Sequence, residues 1–213
     1  MRSTMPRRLV LAATFTAALI LVAGLSGCTD RPLTMPMNHA GTPHTAAPTP
    51  SASGTPAAGP HNRADIMFAR MMIPHHQQAI EMSDLLLAKT DIDPEVSQLA
   101  RQIKAAQTPE IAQMAGWLAG WGQSAMPSTG HQMGGGMGGM MSQADLDALE
   151  RASGKEAMKL YLDGMIIHHE GAIDMAEDQL EDGENPDVKE LARQIITSQR
   201  AEITTMRRLL ANL

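Results

Sequence analysis

The sequence contains a single cysteine, Cys28, among its 213 residues. One thiol cannot form an intramolecular disulfide, and it cannot build a metal site from several thiolates. Aromatic residues make up only 2% of the chain, and no stretch shows the sustained alternation of apolar and polar residues that indicates a half-buried strand. These absences argue against disulfide-rich and β-sheet folds, and they favour an all-α protein.

Positive charge is also scarce, because 17 Lys and Arg residues stand against 23 Asp and Glu residues and the net charge is −6. Binding to nucleic acid draws much of its affinity from basic side chains that contact phosphates. An acidic chain of this kind is therefore not expected to bind nucleic acid. Its charge is compatible with attraction of cations, although an acidic surface more commonly serves solubility.

The first 28 residues have the features of a bacterial lipoprotein signal. Three arginines precede the apolar run "LVLAATFTAALILVAG", and small residues follow in "LSGC". The run is about 16 residues long, whereas a membrane-spanning helix needs roughly 20. We predict that residues 1–27 are removed as a signal peptide and that the lipidated Cys28 anchors the protein outside the cytoplasm. An ordinary signal peptide or a short transmembrane helix is the alternative.

Residues 28–61 are rich in Pro, Thr, Ala, Ser and Gly, and they lack the apolar residues that a core needs. This composition predicts a disordered tether that holds the rest of the chain clear of the membrane. The tether carries the Met/His tract "MPMNH", and a longer tract, "SAMPSTGHQMGGGMGGMM", follows near the middle of the chain. Exposed Met/His tracts outside the cytoplasm can serve to collect copper.

Residues 62–213 contain an internal repeat. The segment "HHQQAIEM" recurs as "HHEGAIDM", and "LARQI" and "Q..EI..M" follow both copies at matching distances. Apolar residues recur every three or four positions, which indicates helices, and the turns "TDIDP" and "EDGENP" divide each copy into a helical hairpin. Two duplicated hairpins predict a ferritin-like four-helix bundle.

The bundle domain divides into four predicted segments. In chain order they are hairpin one over residues 62–122, a Met- and Gly-rich loop over 123–141, a short helix over 142–152 and hairpin two over 153–213. Asn62 with Asp65, and Ser142 with Asp145, have the spacing of a capping box at the start of a helix.

Both histidines of each pair lie on the apolar side of their predicted helix, so we expect them to be buried. The second and fourth helices each have an apolar face that one Gln and one Glu interrupt. These residues are Gln107, Glu110, Gln199 and Glu202. A buried carboxylate needs a partner, because burial of an isolated charge is very costly. Antiparallel pairing about each turn predicts that His76 lies opposite Gln107 and that His168 lies beside Glu202.

Thioether and imidazole groups without thiolate suit Cu(I), and a set richer in imidazole suits Cu(II). We expect the bundle core to hold copper through four histidines and two methionines, while two glutamates orient the histidines or ligate directly. These candidates are His75, His76, His168, His169, Met72, Met165, Glu110 and Glu202. Carboxylate with histidine could instead take zinc or iron. A buried His/Glu network that serves only packing would explain the same pattern without a metal.

The motifs "MIPHHQQAIEM" and "MIIHHEGAIDM", with the doubled "LARQI" and "Q..EI..M", resemble those of domain-of-unknown-function family 305 over nearly all of residues 62–213. The resemblance implies a ferritin-like four-helix bundle in a secreted or membrane-anchored protein, and members of that family are linked to copper or silver binding and tolerance. The motif, carried over residue by residue, also selects four methionines as candidate ligands. They are Met82, Met114, Met175 and Met206.

Helical spacing separates two of these methionines from the histidines. Met82 and Met175 each lie seven residues after the first histidine of their pair. At 1.5 Å per residue this is about 10.5 Å along the helix axis. One ion cannot bind both members of such a pair, so these methionines would belong to a second layer or to ordinary packing.

The sequence thus predicts an extracytoplasmic, lipid-anchored protein that binds, stores or confers tolerance to copper or silver, with a copper-exchange protein as a candidate partner. The alternative is a structural or sensor-like bundle with a buried His/Glu network and no metal. No enzyme activity is expected. A di-iron oxidase bundle needs Glu-x-x-His on two helices, whereas Glu110 and Glu202 are followed four residues later by Met.

Overall fold

The computed structural model describes residues 59–125 and 138–213, which form five helices and no strand. The helices are α1 (Arg63–Leu87), α2 (Pro94–Gly120), α3 (Gln143–Arg151), α4 (Gly154–Asp182) and α5 (Pro186–Asn212). The predicted all-α class is confirmed. The predicted signal peptide, the Cys28 lipidation site, nearly all of the tether and most of the Met- and Gly-rich loop lie outside the described residues.

Local sequence signals set where the helices begin. The predicted capping boxes are present at α1, where Asn62 and Asp65 bond to each other's backbone, and at α3, where Ser142 and Asp145 do the same. Both α2 and α5 begin with a proline, and the side chain of the preceding residue accepts a hydrogen bond from the first turn. None of the described helices is long and apolar enough to cross a membrane.

Four helices pack as two hairpins. α1 packs along α2, α4 packs along α5, and the hairpins meet along α1 and α4, while α2 and α5 contact each other much less. We call the contact between α1 and α4 the seam. Its helices are antiparallel, because the start of α1 meets the end of α4 through Asp65 and Gln179, and the end of α1 meets the start of α4 through Ser83 and Tyr161. The predicted bundle of two duplicated hairpins is confirmed.

A buried carboxylate fixes one end of the seam. Asp65 is fully buried, and its oxygens accept hydrogen bonds from Asn62 N at 2.8 Å, Gln179 Nε2 at 2.6 Å and Asn185 N at 3.2 Å. These donors belong to the start of α1, the end of α4 and the turn before α5. A buried polar group needs such partners, and here they lock the register of α1 against α4.

The residues that lead into α3 lie across the middle of the seam. We call residues 138–141 the covering segment. The Gln78 side chain on α1 holds it, donating to Met141 O at 2.9 Å and accepting from Met141 N at 2.7 Å. On α4, a Cβ atom added to Gly171 would lie only 2.0 Å from Gly138 O. A glycine is therefore required for the covering segment to approach α4 this closely.

Candidate metal centre

Four histidines lie in the middle of the seam, where the two repeats meet. Their side chains are all fully buried: His75, His76, His168 and His169. The ring centroids of His75 and His168, equivalent residues of the two repeats, are 3.7 Å apart, and their planes are tilted by 38°. The helix periodicity that predicted burial has therefore produced one histidine layer shared by both hairpins.

Each hairpin contributes one hydrogen bond between a histidine and a glutamate to this layer. His76 Nε2 lies 2.8 Å from Glu110 Oε2, and His169 Nε2 lies 2.6 Å from Glu202 Oε2. Each glutamate side chain is only 19% exposed. The bond joins α1 to α2 in the first hairpin and α4 to α5 in the second.

The pairing of these side chains differs from the predicted register. We expected Gln107 opposite His76 and His168 beside Glu202, whereas the hydrogen bonds join His76 to Glu110 and His169 to Glu202. Side chains on a helix lean toward its N-terminus. In an antiparallel hairpin the histidine therefore leans away from the turn and the glutamate leans toward it. The glutamate that bonds to a histidine thus lies further from the turn than a count along the backbone predicts, by three residues for His76.

The ring nitrogens that face away from these bonds are left without partners. A neutral imidazole that donates from Nε2 carries a lone pair on Nδ1. Among the described residues, Nδ1 of His76 and of His169 has no hydrogen-bond partner, and neither have Nδ1 of His75 and both ring nitrogens of His168. A buried polar atom without a partner costs about 1–3 kcal/mol. A set of such atoms in one layer fits a site that takes a ligand, and a carboxylate on the opposite nitrogen is how proteins commonly orient metal-binding histidines.

Burial keeps the central pair of histidines uncharged. The pKa of His75 falls from 6.5 to about 3, chiefly because burial disfavours the charged ring and secondly because His76 lies nearby, while the Gly138 carbonyl, 3.3 Å from Nε2, opposes the change. Complete burial, followed by the proximity of His75, holds the pKa of His168 well below its usual value. Neutral imidazole is the form that binds metal ions.

Four of the candidate methionines lie in the hydrophobic core of the bundle. Met72, Met114, Met165 and Met206 are all fully buried. Met72 and Met165 lie three residues before the first histidine of each pair, so they share its helix face one turn away. Their thioethers fill the core and are the sulfur donors nearest to the histidines along α1 and α4.

Met82 and Met175 lie outside the histidine layer, at opposite ends of the seam. Met82 is buried at the end that α3 covers, where a Cβ atom on Gly164 would lie 3.3 Å from Met82 Cε and 3.1 Å from Met141 Sδ. Met175 is half-buried and lines an open groove at the other end. Met141 was assigned from the sequence only to a loop, because nothing in the sequence shows that the covering segment returns to the bundle.

Within the part of the chain that the structure describes, no three His, Cys, Asp or Glu side chains are placed to hold a metal ion together. The two glutamates already bond to histidines. A metal in this layer would therefore depend on imidazole nitrogens with thioether sulfur, and that donor set suits Cu(I) better than zinc or iron.

The fold and the histidine layer define a class of protein: a four-helix bundle of duplicated hairpins with buried, paired histidines at its centre. The sequence profile of the family described as "Domain of unknown function (DUF305)" matches residues 65–210. The chain belongs to this family, as its motifs indicated.

Solved structures of similar sequence share this fold. A DUF305 fragment from Deinococcus radiodurans is 32% identical, with a TM-score of 0.66, over 72% of this chain and 99% of that one. A putative secreted DUF305 protein from Streptomyces coelicolor is 40% identical, with a TM-score of 0.64, over 70% and 93%. CopM in its Cu(II)-bound form is 37% identical, with a TM-score of 0.61, over 70% and 96%. CopM structures with Cu(I) and with silver are also similar. A search of curated proteins finds no match.

Proposed function

We propose that this protein is an extracytoplasmic copper-binding protein, anchored to the cell membrane by a lipid on Cys28, that stores copper or silver or confers tolerance to them. The observation that carries the proposal is the layer of four buried histidines, each of which has a ring nitrogen without a hydrogen-bond partner among the described residues. The similarity to CopM, which has been crystallised with Cu(II), Cu(I) and silver, supports it. The similarity to a putative secreted protein supports the location.

Each group in the layer has a role in this proposal. His75 and His168 offer neutral nitrogens because burial opposes their protonation. Glu110 and Glu202 hold the neighbouring histidines through Nε2 and so leave Nδ1 available to copper. Buried methionines add soft sulfur donors. The ion is cargo that a partner protein delivers or removes, and we propose no catalysed reaction.

A structural role for the same network is the competing candidate. Two observations favour it: the His–Glu hydrogen bonds are complete without a metal, and His75 also bonds to the Gly138 carbonyl. A purely structural network predicts no change in melting temperature when copper is added. A binding site predicts stabilisation that grows with free metal, by about 2.7 kcal/mol at a hundred times the dissociation constant.

A competition titration tests the proposal. The full chain, purified in detergent, is titrated with Cu(I) against a chelator of known affinity, beside a variant in which all four histidines of the layer are changed to Gln. His61→Gln is the matched control, because His61 stacks on Trp121 outside the layer. We expect the wild type and the control to retain Cu(I) at chelator concentrations that strip the four-histidine variant. Equal affinity in all three proteins, each checked for helix content by circular dichroism, would refute a site in the layer.

The anchoring proposal has its own test. In cells that express the full chain, we expect Cys28→Ser to move the protein from the membrane fraction to the soluble fraction, and we expect mass spectrometry to find the lipid only on the wild type. Lipid-free wild-type protein in the membrane fraction would contradict the proposed anchor.

A further inference from the structure

The open end of the seam carries a second group of methionines, away from the histidine layer. Here α1 and α4 leave a groove of about 380 Å³. Met67, Met71 and Met175 line it; Met67 is 36% exposed, and the other two are half-buried. Solvent can therefore reach this group of thioethers, unlike the buried methionines of the core.

The register of the seam explains why these side chains share one cavity. Met67 and Met71 lie one turn apart on the same face of α1. The hydrogen bonds of Asp65 with Gln179 and with the turn before α5 hold the end of α4 against the start of α1. This antiparallel contact brings Met175 of α4 to the groove that the two α1 methionines line, so methionines from both helices border the same space.

The charges along the groove favour a cation. Asp178 and Asp182 are among the residues that line it, together with one basic residue, Arg63. Two negative groups against one positive group give the groove a net negative charge, which raises the local concentration of cations. An apolar partner would gain nothing from these carboxylates.

The other end of the seam shows that packing does not require methionine here. Leu160 occupies the position of the second repeat that corresponds to Met67, and the two residues are 38% and 36% exposed. A leucine is therefore compatible with the same place on the seam at the same exposure. Thioether sulfur differs from an aliphatic group chiefly in its ability to bind soft metal ions.

We propose that Met67, Met71 and Met175 form a second binding site, open to solvent, for a soft monovalent cation, Cu(I) or Ag(I). Thioethers are neutral donors that do not take up protons in the physiological range, so this site keeps its ligands at acid pH. Met71 lies one helical turn before His75, so the site stands on the approach to the histidine layer from that end of α1. It does not depend on the histidine layer, and it can exist without it.

Silver is the probe for the test, because Ag(I) is not oxidised or reduced in buffer. The full chain carrying His→Gln at all four positions of the layer is labelled with ¹³C in its methionine methyl groups and titrated with Ag(I) at pH 5. The three groove signals are assigned by their loss in Met67→Leu, Met71→Leu and Met175→Leu. We expect all three signals to shift together, and we expect the triple leucine variant to bind one equivalent less Ag(I) than its parent.

Met158→Leu is the matched control, because this methionine is buried away from the groove and its sulfur accepts a hydrogen bond from Asp93 N. The control should bind as much Ag(I) as its parent. Groove signals that stay unmoved while the protein becomes saturated, or full stoichiometry in the triple variant, would overturn the proposal. The Cu(I) affinity that depends on the four histidines is measured separately, in the competition titration. A failure of the groove site can therefore be told apart from a failure of the proposed function.

Discussion

The two ends of the seam occupy equivalent places in the internal repeat, yet they are built differently. At the covered end, Gly164 leaves room for Met141 of the covering segment to lie beside Met82. At the open end, Met71 takes the place of that glycine, and the groove is left exposed beside Met175. Between them, the two His–Glu pairs are the same in both halves. Both halves of the repeat therefore contribute alike to the histidine layer, whereas the two ends of the seam differ. The covering segment closes one end, and solvent reaches the other.

The largest effect is expected in the shared layer, as a loss of stability in acid. In metal-free protein, His75 and His168 stay neutral in the folded state because their pKa values are lowered, to about 3 for His75. In the unfolded chain both take up protons as the pH falls through 6.5. The unfolded state then binds more protons, so stability is complete above pH 6.5 and falls as the pH drops toward 3. Between pH 6.5 and 5 the loss should be about 3 kcal/mol for the pair, because each ring in the unfolded chain is half protonated at pH 6.5 and the slope only approaches its limit of roughly 1.4 kcal/mol per pH unit below that.

Urea denaturation of the metal-free protein at several pH values measures this loss. The double variant His75→Gln with His168→Gln should show a much flatter dependence on pH over the same range. A double variant that loses stability with pH as steeply as the wild type would show that other groups cause the acid sensitivity.

The next largest effect is expected at the open end, from Asp65→Asn. The amide lacks the charge and one of the acceptor oxygens that now bind donors from α1, α4 and the turn before α5. We expect a loss of about 2–3 kcal/mol in the free energy of unfolding, as for hydrogen bonds to a buried charged group. Asp145→Asn is the matched control, because Asp145 has the same capping position in α3 but is exposed. This substitution should lower the free energy of unfolding by less than about 1 kcal/mol. Equal losses would mean that Asp65 acts only as a cap.

A smaller effect is expected where the covering segment crosses α4. In Gly171→Ala the added Cβ would lie 2.0 Å from Gly138 O, so the backbone of the segment must move. We expect a loss of about 2 kcal/mol, typical of overpacking. Gly116→Ala, at a helical glycine with nothing within 4 Å, should be neutral or stabilising by up to about 1 kcal/mol. Similar thermal shifts in both variants would contradict the close approach.

The smallest effect is expected from Gly164→Ala at the covered end. Its added Cβ would meet the ends of two flexible methionine side chains, at 3.1 Å and 3.3 Å, rather than backbone. The gain in helix propensity and the crowding should nearly cancel, which leaves stability within about 1 kcal/mol of the wild type. A loss as large as that of Gly171→Ala would show that Met82 and Met141 are held rigidly.

Local patterns were enough to predict the helices, the capping boxes and the burial of the four histidines, because each depends on residues within one or two turns. The pairing of His76 with Glu110 was missed by about one turn, since it depends on how two side chains lean toward each other across a hairpin. His75 and His168 are equivalent residues of the two repeats. Their contact could have been predicted by assuming that the two equivalent helices pack antiparallel.

Features made by distant segments could not be predicted. Nothing in the sequence around Gly171 shows that a backbone passes over it, because a glycine carries no sign of its neighbour. No role was predicted for Met67 and Met71, although their spacing of four on α1 was a visible signal. Their convergence with Met175 required the direction of α4 relative to α1, which only the three-dimensional structure provides.

X-ray absorption at the copper edge, on full chain loaded with one equivalent of Cu(I), tests the central claim most directly. If the histidine layer binds the ion, the spectrum will show imidazole nitrogen together with sulfur, and the imidazole contribution will disappear in the variant that lacks His75, His76, His168 and His169. A spectrum with sulfur alone that is the same in both proteins would place copper on methionines elsewhere and contradict the account.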